Sequence, residues 1–174
     1  PFLHIRQSFD KTLNKYVFDF YLHIENDDDR GKANVTDRQR NEIKTDAHSP
    51  DSLVAQYGET LKITWKFCLP AGMLTTTKFA HIHQLKGIDN KEGNADVSLP
   101  AITFTCRTLS NSKQQFQVLY TASNIESDGK STYLARADLS EFLGEWVYVT
   151  ETVNFADNGR YSVIINRIRD GKRS

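Results

Sequence analysis

The sequence lacks most of the features that make a function easy to read. It has no excess of either charge: 22 Lys and Arg are matched by 22 Asp and Glu, leaving a formal net charge of zero and a pI near 7.4. A dedicated nucleic-acid binder normally carries a basic excess, so no nucleic-acid partner is expected. No apolar run is long enough for a membrane-spanning helix, so no membrane partner is expected either. The chain starts at Pro1 without a charged and apolar leader, and any secretion signal is expected to have been removed or never to have been there. The two cysteines, Cys68 and Cys106, are too few for a disulfide framework and match no zinc spacing. They either pair or stay as thiols, and small apolar core residues are the simpler reading. A Gly-rich phosphate loop, a Gly-x-Ser-x-Gly elbow and a His-Glu-x-x-His helix are all missing.

What is present suits a folded globule. Hydrophobic residues make up 39% and charged residues 25% of 174 positions, enough for one domain spanning residues 1–174. The periodicity is that of strands. Tyr16, Phe18, Phe20, Leu22 and Ile24 alternate with polar residues, which predicts a strand with one half-buried apolar face. Leu61, Ile63, Trp65, Phe67 and Leu69 repeat the pattern before a Pro70-Ala71-Gly72 turn. Further strands are expected near 79–87, 101–109, 114–121, 146–154 and 161–168, all rich in residues that suit a pleated surface. Ala156-Asp157-Asn158-Gly159 reads as a hairpin loop. A single helical turn fits Asp138 to Leu143, with Asp138 as cap and Gly144 as stop. Eight or so strands with scarcely any helix predict an all-β fold of two packed antiparallel sheets, a sandwich or jelly roll.

Two segments carry chemistry. If Asp37-Arg38-Gln39-Arg40-Asn41-Glu42-Ile43-Lys44 is a strand, Arg38, Arg40, Glu42 and Lys44 share one face. Such a face is either a solvated edge blunted by charge or a groove for an anionic ligand, with Glu42 holding the arginines. As a strand, Phe79 to Lys86 puts His81 and His83 on one face and Gln84 and Lys86 on the other. His-x-His can ligate a metal, but no further ligand is obvious, so no metal site is assigned. Proton transfer or hydrogen bonding to a substrate carboxylate is the alternative role. His23 follows on the polar face of the first strand and leads into the acidic loop Asn26-Asp27-Asp28-Asp29-Arg30. That loop is better read as a solvated turn than as a structural calcium site. The sequon Asn34-Val35-Thr36 is a common three-residue pattern.

These residues resemble a family. Arg40-Asn41-Glu42-Ile43-Lys44 is similar to the Arg-x-Glu-Leu-Arg strand of jelly-roll alginate lyases, and His81-Ile82-His83 to their Gln-Ile-His strand, with His in place of Gln. The glucuronan lyase-like branch is resembled more closely, through the runs Asp37 to Lys44, Gly58-Glu59-Thr60 to Trp65-Lys66-Phe67, and His81 to Lys86. Gly144-Glu145-Trp146-Val147 leading to Thr150-Glu151 also fits, and the likeness covers approximately residues 16 to 170.

The resemblance implies a secreted, extracellular or periplasmic polysaccharide lyase with a jelly-roll, concanavalin-like fold, acting as a monomer on an anionic polysaccharide. It requires no cofactor, and calcium would serve only as a structural ion. Such lyases cleave a polyuronate by β-elimination. Donors neutralise the sugar carboxylate, a base removes the C5 proton, and an acid, often Tyr, protonates the leaving oxygen. By this likeness Arg40 engages a carboxylate and Glu42 orients Arg40 or Lys44. His81 stands where the neutralising Gln stands and His83 where the family's His stands. Gln84 competes for the neutralising role from the opposite strand face, so one of the two registers is excluded unless a bulge intervenes. Arg38, Glu42, Lys44 and His23 complete the expected substrate contacts.

One departure stands out. The family's catalytic Tyr lies on a strand near the C-terminus, whereas this sequence ends at Ser174 soon after the 161–168 strand. Tyr120, Tyr133, Tyr148 and Tyr161 sit in no matching context. Either the last strands lie outside this sequence, or the acid/base is lost and the protein only binds. A non-catalytic carbohydrate-binding sandwich is thus the second reading, although neither Trp65 nor Trp146 is an obvious sugar platform. A glycoside hydrolase would need two carboxylates about 5 to 9.5 Å apart, and only Glu42 is clearly placed.

Overall fold

The computed structural model describes residues 3–23, 39–46, 48–88, 97–122, 130–169 and 172–173. Its elements are strands and short 3-10 turns. The strands are β1 (Ile5–Asp10), β2 (Lys15–Phe20), β3 (Thr60–Cys68), β4 (Ala80–Leu85) and β5 (Ile102–Thr108), then β6 (Gln114–Thr121), β7 (Ser131–Asp138), β8 (Trp146–Asn154), β9 (Tyr161–Arg169) and β10 (Lys172–Arg173). The chain is therefore all-β, as the period-two pattern predicts. The sheets are β1-β2, β10-β9-β8-β3 and β4-β5-β6-β7. Two compact units are present, one built from residues 1–63, 150–164 and 170–172, the other from 64–149, 165–169 and 173–174.

In the first unit, β1 and β2 pair antiparallel from Ile5 opposite Phe20 to Asp10 opposite Lys15. Arg6 Nε donates to Asp19 Oδ2 at 3.0 Å across the hairpin, and this bond holds the Asp19 carboxyl below its ordinary range. The expected half-buried apolar face is corrected here. Tyr16 is 68% exposed, Phe18 59% and Phe20 49%, and Leu22 is exposed as well, while Ile24 lies outside the described residues. Alternation fixes which side chains share a face, but it does not say what lies opposite that face.

The Ala156–Gly159 loop joins β8 to β9 as expected, with Gly159 N–H donating to Ala156 O at 2.8 Å. A Cβ on Gly159 would run into the carbonyl oxygens of Asn154 and Ala156, so the tight reversal requires glycine. On β8 the fully buried Glu151 accepts a hydrogen bond from Tyr161 Oη at 2.9 Å. Burial and the Glu151 charge push the Tyr161 phenol well above its ordinary value.

In the second unit, β4 to β7 form an antiparallel meander with β5 and β6 at its centre. On one face Phe104, Cys106, Phe116 and Val118 are almost fully buried. Trp65 packs edge-on to Phe104 at 5.1 Å, and Phe67 stacks on Phe116 at 5.7 Å. Rings at these separations add attraction beyond their buried area, and truncating Phe104 to Ala would cost about 3–5 kcal/mol. The expected helical turn is a 3-10 turn over Leu139–Glu141. Asp138 stands at its N-cap without a side-chain cap bond, and Gly144 follows at φ +73, a backbone conformation that favours glycine.

The cysteines divide. Both are free thiols; Cys106 is buried as expected, but Cys68 is exposed because its position on β3 falls in the outward register.

Candidate functional site: the polar face of the β4–β7 sheet

The residue pairings across β4 to β7 sort every side chain onto one of two faces. β4 holds a bulge between His81 and His83, so that His81 lies opposite Thr105, His83 opposite Phe104 and Gln84 opposite Thr103. Paired residues share a face, and neighbours along β5 alternate. His81 and Gln84 are consequently on the same face, and His83 is on the other. The expectation that His81 and His83 point together is overturned, because the extra residue of the bulge shifts the alternation by one. The same shift removes the conflict between His81 and Gln84. Ring contacts agree: His83 lies 4.5 Å from Trp65 and 5.4 Å from Phe104, within the aromatic layer. His81 stacks instead on Phe79 at 4.4 Å.

A second bulge sits on the opposite edge of the sheet. The register between β6 and β7 shifts after Val118, which puts Arg136 opposite Gln117 and Tyr133 opposite Leu119. Tyr133 and Arg136 therefore share the face of His81 and Gln84. The Arg136 guanidinium lies 5.2 Å from the centre of the Tyr133 ring, a cation–π geometry.

Between these edges the central strands contribute Thr103, Thr105 and Arg107 from β5 and Gln115 and Gln117 from β6. Thr105 and Gln117 are fully buried. Gln117 Nε2 donates to Gln115 Oε1 at 3.1 Å, while Gln117 Oε1, Thr105 Oγ1 and Arg107 Nε find no partner among the described residues. A buried polar atom left unmatched costs about 1–3 kcal/mol, so three of them on one face need an explanation. Arg107 also acts on His81: partial loss of water and the guanidinium charge hold the imidazole below its ordinary value. Asp138, opposite Gln115, is the one carboxylate on this face among the described residues.

The other expected contacts lie in the first unit. Residues 40–46 are irregular backbone rather than a strand, with only Gln39 in a bridge, and Arg38 lies outside the described residues. The physical reason is visible in Asn41, whose amide donates to the carbonyls of His4 and Tyr21 and ties the segment to the hairpin by a side chain instead of a ladder. Gln39 Nε2 donates to His23 O at 3.1 Å, so the structure brings His23 beside this segment. The His23 ring meets the His4 ring edge-on at 5.5 Å. Glu42 Oε1 lies 3.7 Å from Lys44 Nζ, and both side chains and Arg40 are exposed. The acidic loop at 26–29 and the sequon at 34–36 lie outside the described residues.

Thr105, Arg107, Gln117 and Arg136 were not singled out by sequence reasoning, and Tyr133 was set aside for want of a matching context. A signal was present in two of the strands. Thr103-Phe104-Thr105-Cys106-Arg107 and Gln115-Phe116-Gln117-Val118 both alternate polar and apolar residues, which marks a sheet with one polar face. In comparisons with known proteins, no family model, no curated protein and no solved structure matches this chain.

Proposed function

We propose that the chain is a polysaccharide lyase that cleaves a uronic-acid polysaccharide, glucuronan-like or alginate-like, with the polar face of the β4–β7 sheet as the floor of its substrate site. The observation that carries this reading is the β4 bulge, which brings His81 and Gln84 onto one face together with Arg107, a base and two carboxylate donors of the kind the family likeness calls for.

The chemistry follows from the same groups. Charge develops on the sugar carboxylate as the C5 proton leaves, and Arg107 with Gln84 would offset it as fixed dipoles and charge do in an oxyanion hole. His81, kept neutral by Arg107 and partial desolvation, is able to accept the C5 proton. Tyr133 shares the face but stands on β7, three strands from His81, so the proton for the leaving oxygen would come from water rather than from this phenol. His83, turned into the aromatic layer, has no part in this scheme. Arg40 keeps a carboxylate-binding role through the family likeness alone, with Glu42 and Lys44 as its neighbours. A hydrolase is disfavoured, because Asp138 is the single carboxylate on the face among the described residues. The finer fold expectation, a jelly roll, and secretion toward a polymeric substrate belong to the same proposal.

The test is to incubate the protein with polyglucuronate, alginate and heparin and follow the ultraviolet absorbance of the unsaturated product. A rise on one of them is expected, and it should be lost in His81→Ala and Arg107→Gln with unchanged circular dichroism. No rise on any polyuronate ends the lyase reading. Binding without cleavage would move the protein to the second class, a carbohydrate-binding sandwich. Arg40→Ala should also abolish turnover with the fold intact; full activity in that variant would remove Arg40 from the site.

A further inference from the structure

His81 stands on β4, an edge strand of its sheet, and no hydrogen bond reaches either ring nitrogen among the described residues. A histidine base ordinarily has its second nitrogen tied to a carboxylate or carbonyl, which fixes the plane of the ring. Asp138, the single carboxylate on this face among the described residues, cannot serve. It lies on β7, three strands away, at a distance of roughly 14 Å for strands about 4.8 Å apart. An imidazole without any anchor turns about both side-chain bonds and seldom presents its nitrogen to a substrate proton.

Phe79 takes the place of that anchor. Its ring centre lies 4.4 Å from the imidazole centre, with 15° between the two planes, a face-to-face stack. The two residues are separated by Ala80 alone, and extended backbone puts such neighbours on one side of the chain. The bulge falls after His81, so it does not come between them. Phe79 is 49% exposed, which leaves its ring little part in the core. The stack also matters after proton transfer. The C5–H electron pair becomes the C4–C5 double bond, the C4–O bond breaks, and the proton resides on His81. The resulting imidazolium is opposed by the Arg107 charge and attracted by the electron-rich face of the Phe79 ring.

We propose that Phe79 is a positioning residue for the His81 base, its stacked ring fixing the plane in which the imidazole meets the C5 proton. The inference rests on the reading of the face as a lyase site and adds the group that orients its base. Orientation of a base acts on the chemical step, so Phe79 bears on kcat and leaves KM alone.

Steady-state kinetics of the full chain on polyglucuronate, alginate and heparin, with Phe79→Leu and Phe79→Tyr beside the wild type, test this directly. Phe79→Leu keeps an apolar side chain but removes the stack, and kcat should fall about tenfold with KM unchanged, the scale of one aromatic pair. Phe79→Tyr keeps the ring and should restore kcat. Proton NMR supplies a readout independent of turnover. The His81 ring protons should lie upfield in the wild type and in Phe79→Tyr, shielded by the neighbouring ring, and move downfield in Phe79→Leu. Thermal midpoints near that of the wild type would show that the variants remain folded. Full kcat in Phe79→Leu would overturn the positioning role and leave the lyase reading standing. So would equal losses in both variants, a raised KM with kcat unchanged, or unshielded His81 protons in the wild type. A wild type that cleaves none of the three polymers would overturn both.

Discussion

At the scale of single residues, the molecule is informative where a group is held away from its ordinary behaviour. His81 is the first case. Its imidazole should titrate below the ordinary value of 6.5, and Arg107→Gln should move it upward by removing the nearby charge; proton NMR of the ring would read both. The direction has a consequence for stability. As pH falls through the ordinary range, the unfolded chain takes up a proton that the folded site resists, and the folded state loses stability. Cys106 is the opposite case, with burial pushing its thiol up to about 12. Its contribution is intact below the ordinary thiol value of 9.0 and is lost as pH rises toward about 12. A thiol reagent should therefore modify only the exposed Cys68 in the native protein and both cysteines in denaturant. A native protein that reacts twice would contradict the buried placement. Tyr161→Phe removes one hydrogen bond to the fully buried Glu151, and a loss of about 1–3 kcal/mol in urea unfolding is expected. None of these environments is visible in the sequence, because each depends on a neighbour distant in the chain or on depth in the fold.

At the scale of elements, the strands were the legible part. The spans 146–154, 114–121 and 161–168 are strands from end to end, because alternation between two faces is a local property. β1 and β7 were not anticipated, and β7 shows why. Ser131-Thr132-Tyr133-Leu134-Ala135-Arg136 contains a bulge, which breaks the alternation on which the reading depends. The bulge on β4 hid the site in the same way, since a regular strand would place His81 with His83 and away from Gln84. Deleting Ile82 tests the assignment. It removes the extra residue and leaves His81 opposite Thr105 and Gln84 opposite Thr103 in a regular ladder, so saccharide binding should persist. Loss of binding in a folded deletion variant would mean that the bulge itself shapes the site. The β1–β2 hairpin offers a simpler check: Phe18→Ser on its exposed face should change stability by no more than about 0.5 kcal/mol in urea.

For the whole molecule, a formal charge of zero proved to be an average that hides local arrangement. Arg107 and Arg136 stand on one sheet face with a single carboxylate among the described residues, and the pairing register collects them there. Binding of an acidic oligosaccharide should accordingly weaken as salt is raised, although net charge would suggest indifference; titrations at low and high ionic strength would show it. The all-β class could be read from the sequence, since composition and turn residues act at every position. The site could not, because a residue's face depends on every bulge before it in the strand. The two bulges also bear on the edges of the sheet. They lie on β4 and β7, the two edges of the sheet. A free edge is a template that invites another chain to add a strand, and an interrupted ladder is a poor one. The irregularities that collect the polar side chains thus also make each edge ladder a poorer template for a further strand.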